Sequence, residues 1–217
     1  MNPDLRPEVT EADRPTAEQL RAELERISGK RSRHGFAYFL LVLLFLLALL
    51  VAAVVLLFPA FVVYGNSMAP ALHEGDLVLA AYDGPSKTGD IVAFRSGERV
   101  LIKRVVAGPG DSVEVLEDGR VRVNGEQLSE PWAMFTDDSA GELDYPVTLP
   151  NGGYFVLGDN RGSSVDSRFR VLGVIDESQI LGRLVIRLWP LNRISLLAPD
   201  AFQAMLNSVT GRFGIGR

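Results

Sequence analysis

The stretch FAYFLLVLLFLLALLVAAVVLLF, residues 36–58, divides this chain into parts that follow different physical rules. It sits inside a longer run, Gly35 to Asn66, that carries no charged side chain. As a helix its 23 residues rise by roughly 35 Å, slightly more than the ~30 Å hydrocarbon core of a bilayer. The apolar region of a secretory signal peptide is only about 7–15 residues long, and a soluble core helix is less uniformly apolar. One transmembrane helix over 36–58 is therefore expected. Lys30, Arg31 and Arg33 crowd its N-terminal side, whereas the first Lys or Arg after Phe58 is Lys87. The positive-inside tendency then makes residues 1–35 a cytoplasmic segment and residues 59–217 an extracytoplasmic domain on the outer face of the cytoplasmic membrane, with a single pass between them.

Working outward, the composition narrows the chemistry. Among 217 residues there are 22 Lys plus Arg against 27 Asp plus Glu, a net charge of −5, which argues against nucleic acid as a partner. The absence of cysteine excludes disulfides, thiolate nucleophiles and Cys-ligated zinc. With only His34 and His73, no metal site is expected, and no cofactor motif such as a P-loop, GxGxxG or HExxH occurs. Upstream of the apolar run, AEQLRAELERIS (17–28) carries Leu20, Leu24 and Ile27 at helical spacing behind a candidate N-cap, Thr16. It reads as a solvated helix ahead of the anchor.

Downstream the pattern changes to short runs rich in Val, Ile, Leu, Phe and Tyr between turn formers, which is the signature of strands. Strands are expected over 76–82, 90–96, 100–107, 112–118, 120–128, 154–159 and 181–189. Asp118-Gly119 and Asn124-Gly125 are hairpin signals. The fold class is mostly β: a small antiparallel barrel or sandwich, preceded by one transmembrane helix. The stretch EPWAMFTDDSAGELDYPVTLPNGG (130–153) reads as an irregular excursion whose Trp132, Met134 and Phe135 cover the core. The tail beyond Trp189 is too interrupted to span a membrane again and contains an amphipathic stretch.

Three polar segments among turn formers are candidates for chemistry: GNSMAP (65–70), IKRVVAGPGD (102–111) and GDNRGSSVDSR (158–168). Ser67 is either a turn residue or a nucleophile, and a nucleophile needs a base. His34 precedes the anchor, and His73 reads as an exposed turn residue. The domain's two lysines are Lys87, in a turn, and Lys103, in an apolar strand. Lys103 is either a charged strand residue balanced by an acid or, if buried, an amine whose lowered pKa suits it to accept a proton. Residue chemistry leaves both open. Asp159, Arg161, Asp166 and Arg168 place each acid two residues from an arginine and read as ion pairs. Asp76, Asp90 and Asp111 each follow a glycine and close turns.

Taken together, GNSMAPAL (65–72), GDLV (75–78), IKRVVAGPGD (102–111) and GDNRGSSVDSRFRVLG (158–173), in this order behind one apolar helix, resemble the bacterial type I signal peptidases. These are membrane-anchored serine endopeptidases with a Ser/Lys dyad. The resemblance covers about residues 36–190. It implies that Ser67 is the acylated nucleophile and Lys103 the general base, with Ser164 hydrogen-bonding the lysine and holding its rotamer. Asp159, Arg161, Asp166 and Arg168 would anchor the loop that carries Ser164, and Met68 and Pro70 would shape the turn after the nucleophile. The Ser67 backbone N–H would be one oxyanion donor. Gly65 stands where some members carry a hydroxyl side chain as the second. The implied partners are secretory preproteins with small residues before the scissile bond, met at a lipid bilayer. The other reading is a catalytically silent, membrane-tethered β domain that binds exported chains.

Overall fold

A computed structural model describes residues 15–82, 84–136, 140–198, 200 and 205. The polar start of the chain, 1–14, and most of the tail in which an amphipathic stretch is expected lie outside the described residues. The structure divides into two units, 1–54 and 55–217.

Helix α1 (Ala17–Leu57) holds the amphipathic stretch and the apolar run in one continuous element. Thr16 starts it: Gln19 N–H donates to Thr16 Oγ1 at 3.4 Å, while Thr16 N–H donates to Gln19 Oε1 at 2.9 Å. Two otherwise orphaned donors are thereby satisfied reciprocally, as in a capping box. Gly35–Ala53 has a mean hydropathy of 3.0 and is long and apolar enough to cross a membrane. Its side chains are apolar on every face, which suits a helix surrounded by lipid rather than one packed along a single stripe.

Within the second unit the described residues form twelve strands, and every pairing between them is antiparallel. The larger sheet contains β1 (Ala60–Val62), β2 (Leu77–Ala81), β3 (Ile91–Ser96), β4 (Arg99–Ala107), β9 (Gly153–Leu157), β10 (Ile175–Asp176), β11 (Ile180–Trp189) and β12 (Ser195–Leu196). Its order is β1-β2-β11-β3-β4-β9-β10, with β12 also against β11. The smaller sheet, ordered β7-β6-β5-β8, is built from β5 (Ser112–Val115), β6 (Val121–Val123), β7 (Glu126–Gln127) and β8 (Val147–Thr148).

The longer strands fall where alternation and turn residues put them, and the additional β1, β8, β10 and β12 are two or three residues long, too short to show a period. Asn124 (φ 55°) and Gly125 (φ 85°) both take positive φ between β6 and β7, with Val123 opposite Glu126. That is the two-residue hairpin the dipeptide favours. At Asp118-Gly119 the loop is longer, and only Gly119 has positive φ.

Both faces of the larger sheet are buried. Ile91 and Ala93 of β3 pack with Met68, Leu72, Val78 and Leu184, while the alternate residues Val92 and Phe94 pack with Val105, Tyr154 and Val156. A further core, including Val106, Val113, Val121 and Phe155, joins the two sheets. β9 pairs with β4 only from Arg104 onward, so residues 99–103 have β3 on one side and, among the described residues, a free edge on the other. Among the described residues β1 likewise pairs with β2 alone.

Candidate active site

Ser67 follows β1 in a bend, and its immediate neighbours are fixed by packing. Met68 is buried in the core beside Leu72, and its carbonyl accepts Leu72 N–H at 2.8 Å. Pro70, exposed, follows through a cis peptide and completes the turn. Met68 therefore pins the turn from inside while Ser67 stays partly accessible. The Ser67 carbonyl accepts Asn160 N–H at 3.0 Å, which ties this turn to the loop after β9. Among the described residues the Ser67 N–H donates to no acceptor, leaving it available as a donor.

Lys103 lies on β4, opposite Val92 of β3, and is only 4 % exposed. Its Nζ donates to Ser67 Oγ at 2.7 Å, and among the described residues it has no carboxylate in ion-pair contact. Burial pulls its pKa down from the ordinary lysine value to about 8; Asp166 and Asp159 oppose that shift, and the Arg168 guanidinium assists it. Of the two readings the strand pattern allowed, the structure takes the buried one. The amine faces a hydroxyl and not an acid, so its neutral form is accessible near physiological pH.

The loop from Gly158 to Arg168 closes the other side. A Cβ at Gly158 would lie 2.2 Å from Ser164 Oγ and 2.6 Å from the Ser67 carbonyl oxygen, so only glycine lets the loop approach the nucleophile this closely. Ser164 is buried there, but its Oγ has no hydrogen-bond partner. Among the described residues the bond to Lys103 implied by the resemblance is not formed; the Ser164 side chain lies over Gly158 instead. Gly65 is exposed with φ 73°, and a Cβ there would meet nothing within 4 Å, so backbone conformation alone favours glycine.

The four loop charges are all buried, and their partners correct the pairing expected from spacing. Asp166 and Arg168 do pair, Nε to Oδ1 at 2.8 Å and Nη2 to Oδ2 at 2.9 Å, and Asp166 Oδ2 also accepts Gly158 N–H at 3.0 Å. Arg168 Nη2 donates further to the Arg161 carbonyl at 2.8 Å. Asp159 and Arg161 do not pair with each other. Asp159 takes a two-point contact from Arg104, at 2.8 and 2.6 Å, whereas Arg161 donates to Glu130 and to the Gly119 carbonyl. The cause is a 3₁₀ turn over Arg161–Ser163, which breaks the two-residue alternation just after Asp159.

The excursion over 130–136 also differs from its expected role. Met134 N–H donates to the Asp159 carbonyl and Arg161 N–H to the Met134 carbonyl, so this strap lies alongside the catalytic-side loop. Trp132 lies 4.7 Å from the Arg104 guanidinium and Phe135 5.2 Å from that of Arg161. Phe135 and Met134 remain 41 % and 48 % exposed, so Trp132 and Phe135 cover buried cations instead of the apolar core, while Met134 ties the strap to the loop through its backbone. His73 is away from the dyad: its Nδ1 faces Arg193 at 3.0 Å, beside the buried Asp76 that Arg187 and Arg193 share. Asp90 and Asp111 do close turns, accepting Lys87 N–H and Gly108 N–H.

A groove of about 560 Å³ opens at Ser67 and Lys103 and runs between residues 60–64 and 99–103. Its walls are the two free strand edges. Among the described residues no group of His, Asp or Glu is placed to hold a metal ion.

The family described as signal peptidase, peptidase S26, matches residues 36–189. A signal peptidase I of Bacillus licheniformis is 37 % identical over 161 residues, 68 % of this chain and 84 % of that protein. One from Bacillus amyloliquefaciens is 35 % identical over 187 residues, 80 % of this chain and 92 % of its own length. The crystal structure of a signal peptidase I from Enterococcus faecalis V583 overlaps with a TM-score of 0.39 at 30 % identity, covering 47 % of this chain and 98 % of that one.

Proposed function

The chain belongs to the signal peptidase family, peptidase S26, and on that premise we propose that Ser67 is its nucleophile and Lys103 its general base. Family membership makes it a membrane-anchored serine endopeptidase that cleaves signal peptides from preproteins. The observation that carries the assignment is the 2.7 Å contact between Ser67 Oγ and a buried lysine amine with no acid beside it.

In the neutral form, Lys103 Nζ takes the Ser67 proton as Oγ attacks the scissile carbonyl carbon. The tetrahedral oxyanion accepts a hydrogen bond from the Ser67 N–H, with the backbone around Gly65 as the second candidate donor. Collapse breaks the C–N bond, Lys103 returns the proton to the leaving amine, and the signal peptide remains esterified to Ser67. Water then attacks the ester, losing its proton to Lys103, and as the ester bond breaks Lys103 returns that proton to Ser67 Oγ, releasing the signal peptide with a free carboxyl terminus. Ser164 has a support role here. A buried hydroxyl without a partner is costly, and the lysine is the group it serves once Ser67 is acylated.

The groove supports an extended substrate. A peptide between the edges of β1 and residues 99–103 gains backbone hydrogen bonds from both, while Phe61, Val63, Met68 and Ile102 make apolar walls suited to small side chains. The cluster of Lys30, Arg31 and Arg33 ahead of the apolar run supports a cytoplasmic N-terminus. Residues 59–217 are then extracytoplasmic, and Ser67, nine residues after Phe58, works close to the outer bilayer surface where a signal peptide's apolar region ends.

The test is cleavage of a purified preprotein in liposomes by wild type, Ser67→Ala and Lys103→Ala, with the product N-terminus read by mass spectrometry. Cleavage after a small residue, lost in both variants, is the expected result. Cleavage persisting in Ser67→Ala contradicts the assignment.

A further inference from the structure

Apart from Lys103, the groove is lined by one charged side chain, Arg99, the first residue of β4. It is exposed, and among the described residues its guanidinium has no hydrogen-bond or ion-pair partner. The buried and half-buried guanidiniums of the domain are treated differently: Arg104, Arg161, Arg168, Arg183 and Arg187 are all tied to carboxylates or carbonyls. Glu98, its chain neighbour, is not part of the lining.

Position along the groove gives this free cation a meaning. Both walls run toward the dyad, 60 to 67 on one side and 99 to 103 on the other. Arg99 therefore stands four residues back from Lys103, about 13 Å along an extended strand. An extended substrate with its scissile carbonyl at Ser67 rises by the same ~3.3 Å per residue, so the fifth residue counted back from the cleaved bond comes level with Arg99. The direction follows from the lining between them, which is apolar and suited to the small residues that precede the bond. At this distance the substrate passes from its apolar helix to the extended chain. A helix ending there exposes its last carbonyls and the negative end of its dipole. A guanidinium, with five donors and a permanent charge, complements both.

We infer that Arg99 is a specificity-determining residue that reads charge at the fifth substrate residue before the scissile bond, favouring carbonyl or carboxylate oxygens and disfavouring Lys or Arg. This rests on the assignment of Ser67 as the nucleophile.

The experiment uses the full chain in uncharged detergent and signal-peptide substrates that differ only at the fifth residue, as Asp, Asn or Lys. For wild type, kcat/KM for the Asp substrate should exceed that for Lys by roughly threefold to tenfold, the range for exposed charge pairs counted in attraction and repulsion. Arg99→Gln should level the Asp and Lys substrates, and Arg99→Glu should invert the order. High salt should shrink each preference. An unchanged ranking in all three enzymes overturns the inference, as does an equal loss on every substrate in Arg99→Gln, which would mark a structural role. Ser67→Ala run on the same substrates separates the two claims: cleavage that persists there overturns the nucleophile assignment, whatever Arg99 does.

Discussion

Lys103 and Arg104 are consecutive on β4 and both are buried, yet the two faces of the strand treat their charges in opposite ways. On one face Arg104 meets two Asp159 oxygens, the Gly89 carbonyl and the Trp132 ring. On the other, Lys103 meets a hydroxyl. A permanently charged guanidinium has to be neutralised to be buried, and its partners make it structural. An ammonium with no acid in contact instead gives up its proton more readily, which makes it a base. The same sheet therefore provides rigidity through one residue and reactivity through the next.

Removing the reactive side should have the largest effect. Ser67→Ala and Lys103→Ala are each expected to lower kcat/KM by on the order of 10³-fold or more with the fold retained, checked by preprotein cleavage alongside circular dichroism. Gly158→Ala should come next, with a loss of at least about 100-fold, because its Cβ forces both the Ser67 carbonyl and Ser164 to move. A fully active Gly158→Ala enzyme would mean that the loop relaxes without displacing the nucleophile.

The structural side should respond in stability. Glu130→Ala leaves Arg161 buried without its carboxylate and should cost about 3–5 kcal/mol in denaturant unfolding, with activity falling only as the fold is lost. Ser164→Ala reverses that signature. Its hydroxyl makes no hydrogen bond, so stability should not fall, while kcat should drop by about tenfold to a hundredfold if the hydroxyl serves the lysine during turnover. The smallest expected effect has the opposite sign: Lys103→Met should stabilise the inactive protein by about 1–2 kcal/mol at neutral pH, since an ammonium is no longer desolvated. The folded pKa lies below the unfolded one, so the wild-type penalty is complete below about 8 and fades as pH rises toward the unfolded lysine value. The gain in the variant should shrink over that same interval.

This division also marks what the sequence makes legible. The apolar helix, the longer strands and the Asn124-Gly125 hairpin follow from local periodicity and turn chemistry. Lys103 stands out because the domain has only one other lysine, Lys87, whereas Ser67 is one serine among many and is singled out by the resemblance of GNSMAPAL to the signal peptidases. Partner choice among the buried charges is not local. Arg104 finds Asp159 and Glu130 finds Arg161 across 55 and 31 residues respectively, and a 3₁₀ turn defeats the two-residue spacing that works for Asp166 and Arg168. Gly158 reads as one turn glycine among many until the Ser67 carbonyl is placed against it. The aromatic strap is equally hidden, because a sequence shows that Trp132 and Phe135 are apolar but not that they cover guanidiniums.

A lysine neutral at working pH drives the attack, and kcat/KM against pH for the 217-residue chain tests this on a substrate with no group titrating between mildly acidic and alkaline pH. A tenfold rise per pH unit that levels off near the Lys103 value of about 8 is expected, with no such limb in the residual activity of Lys103→Ala. A profile that stays flat down to mildly acidic pH would contradict it.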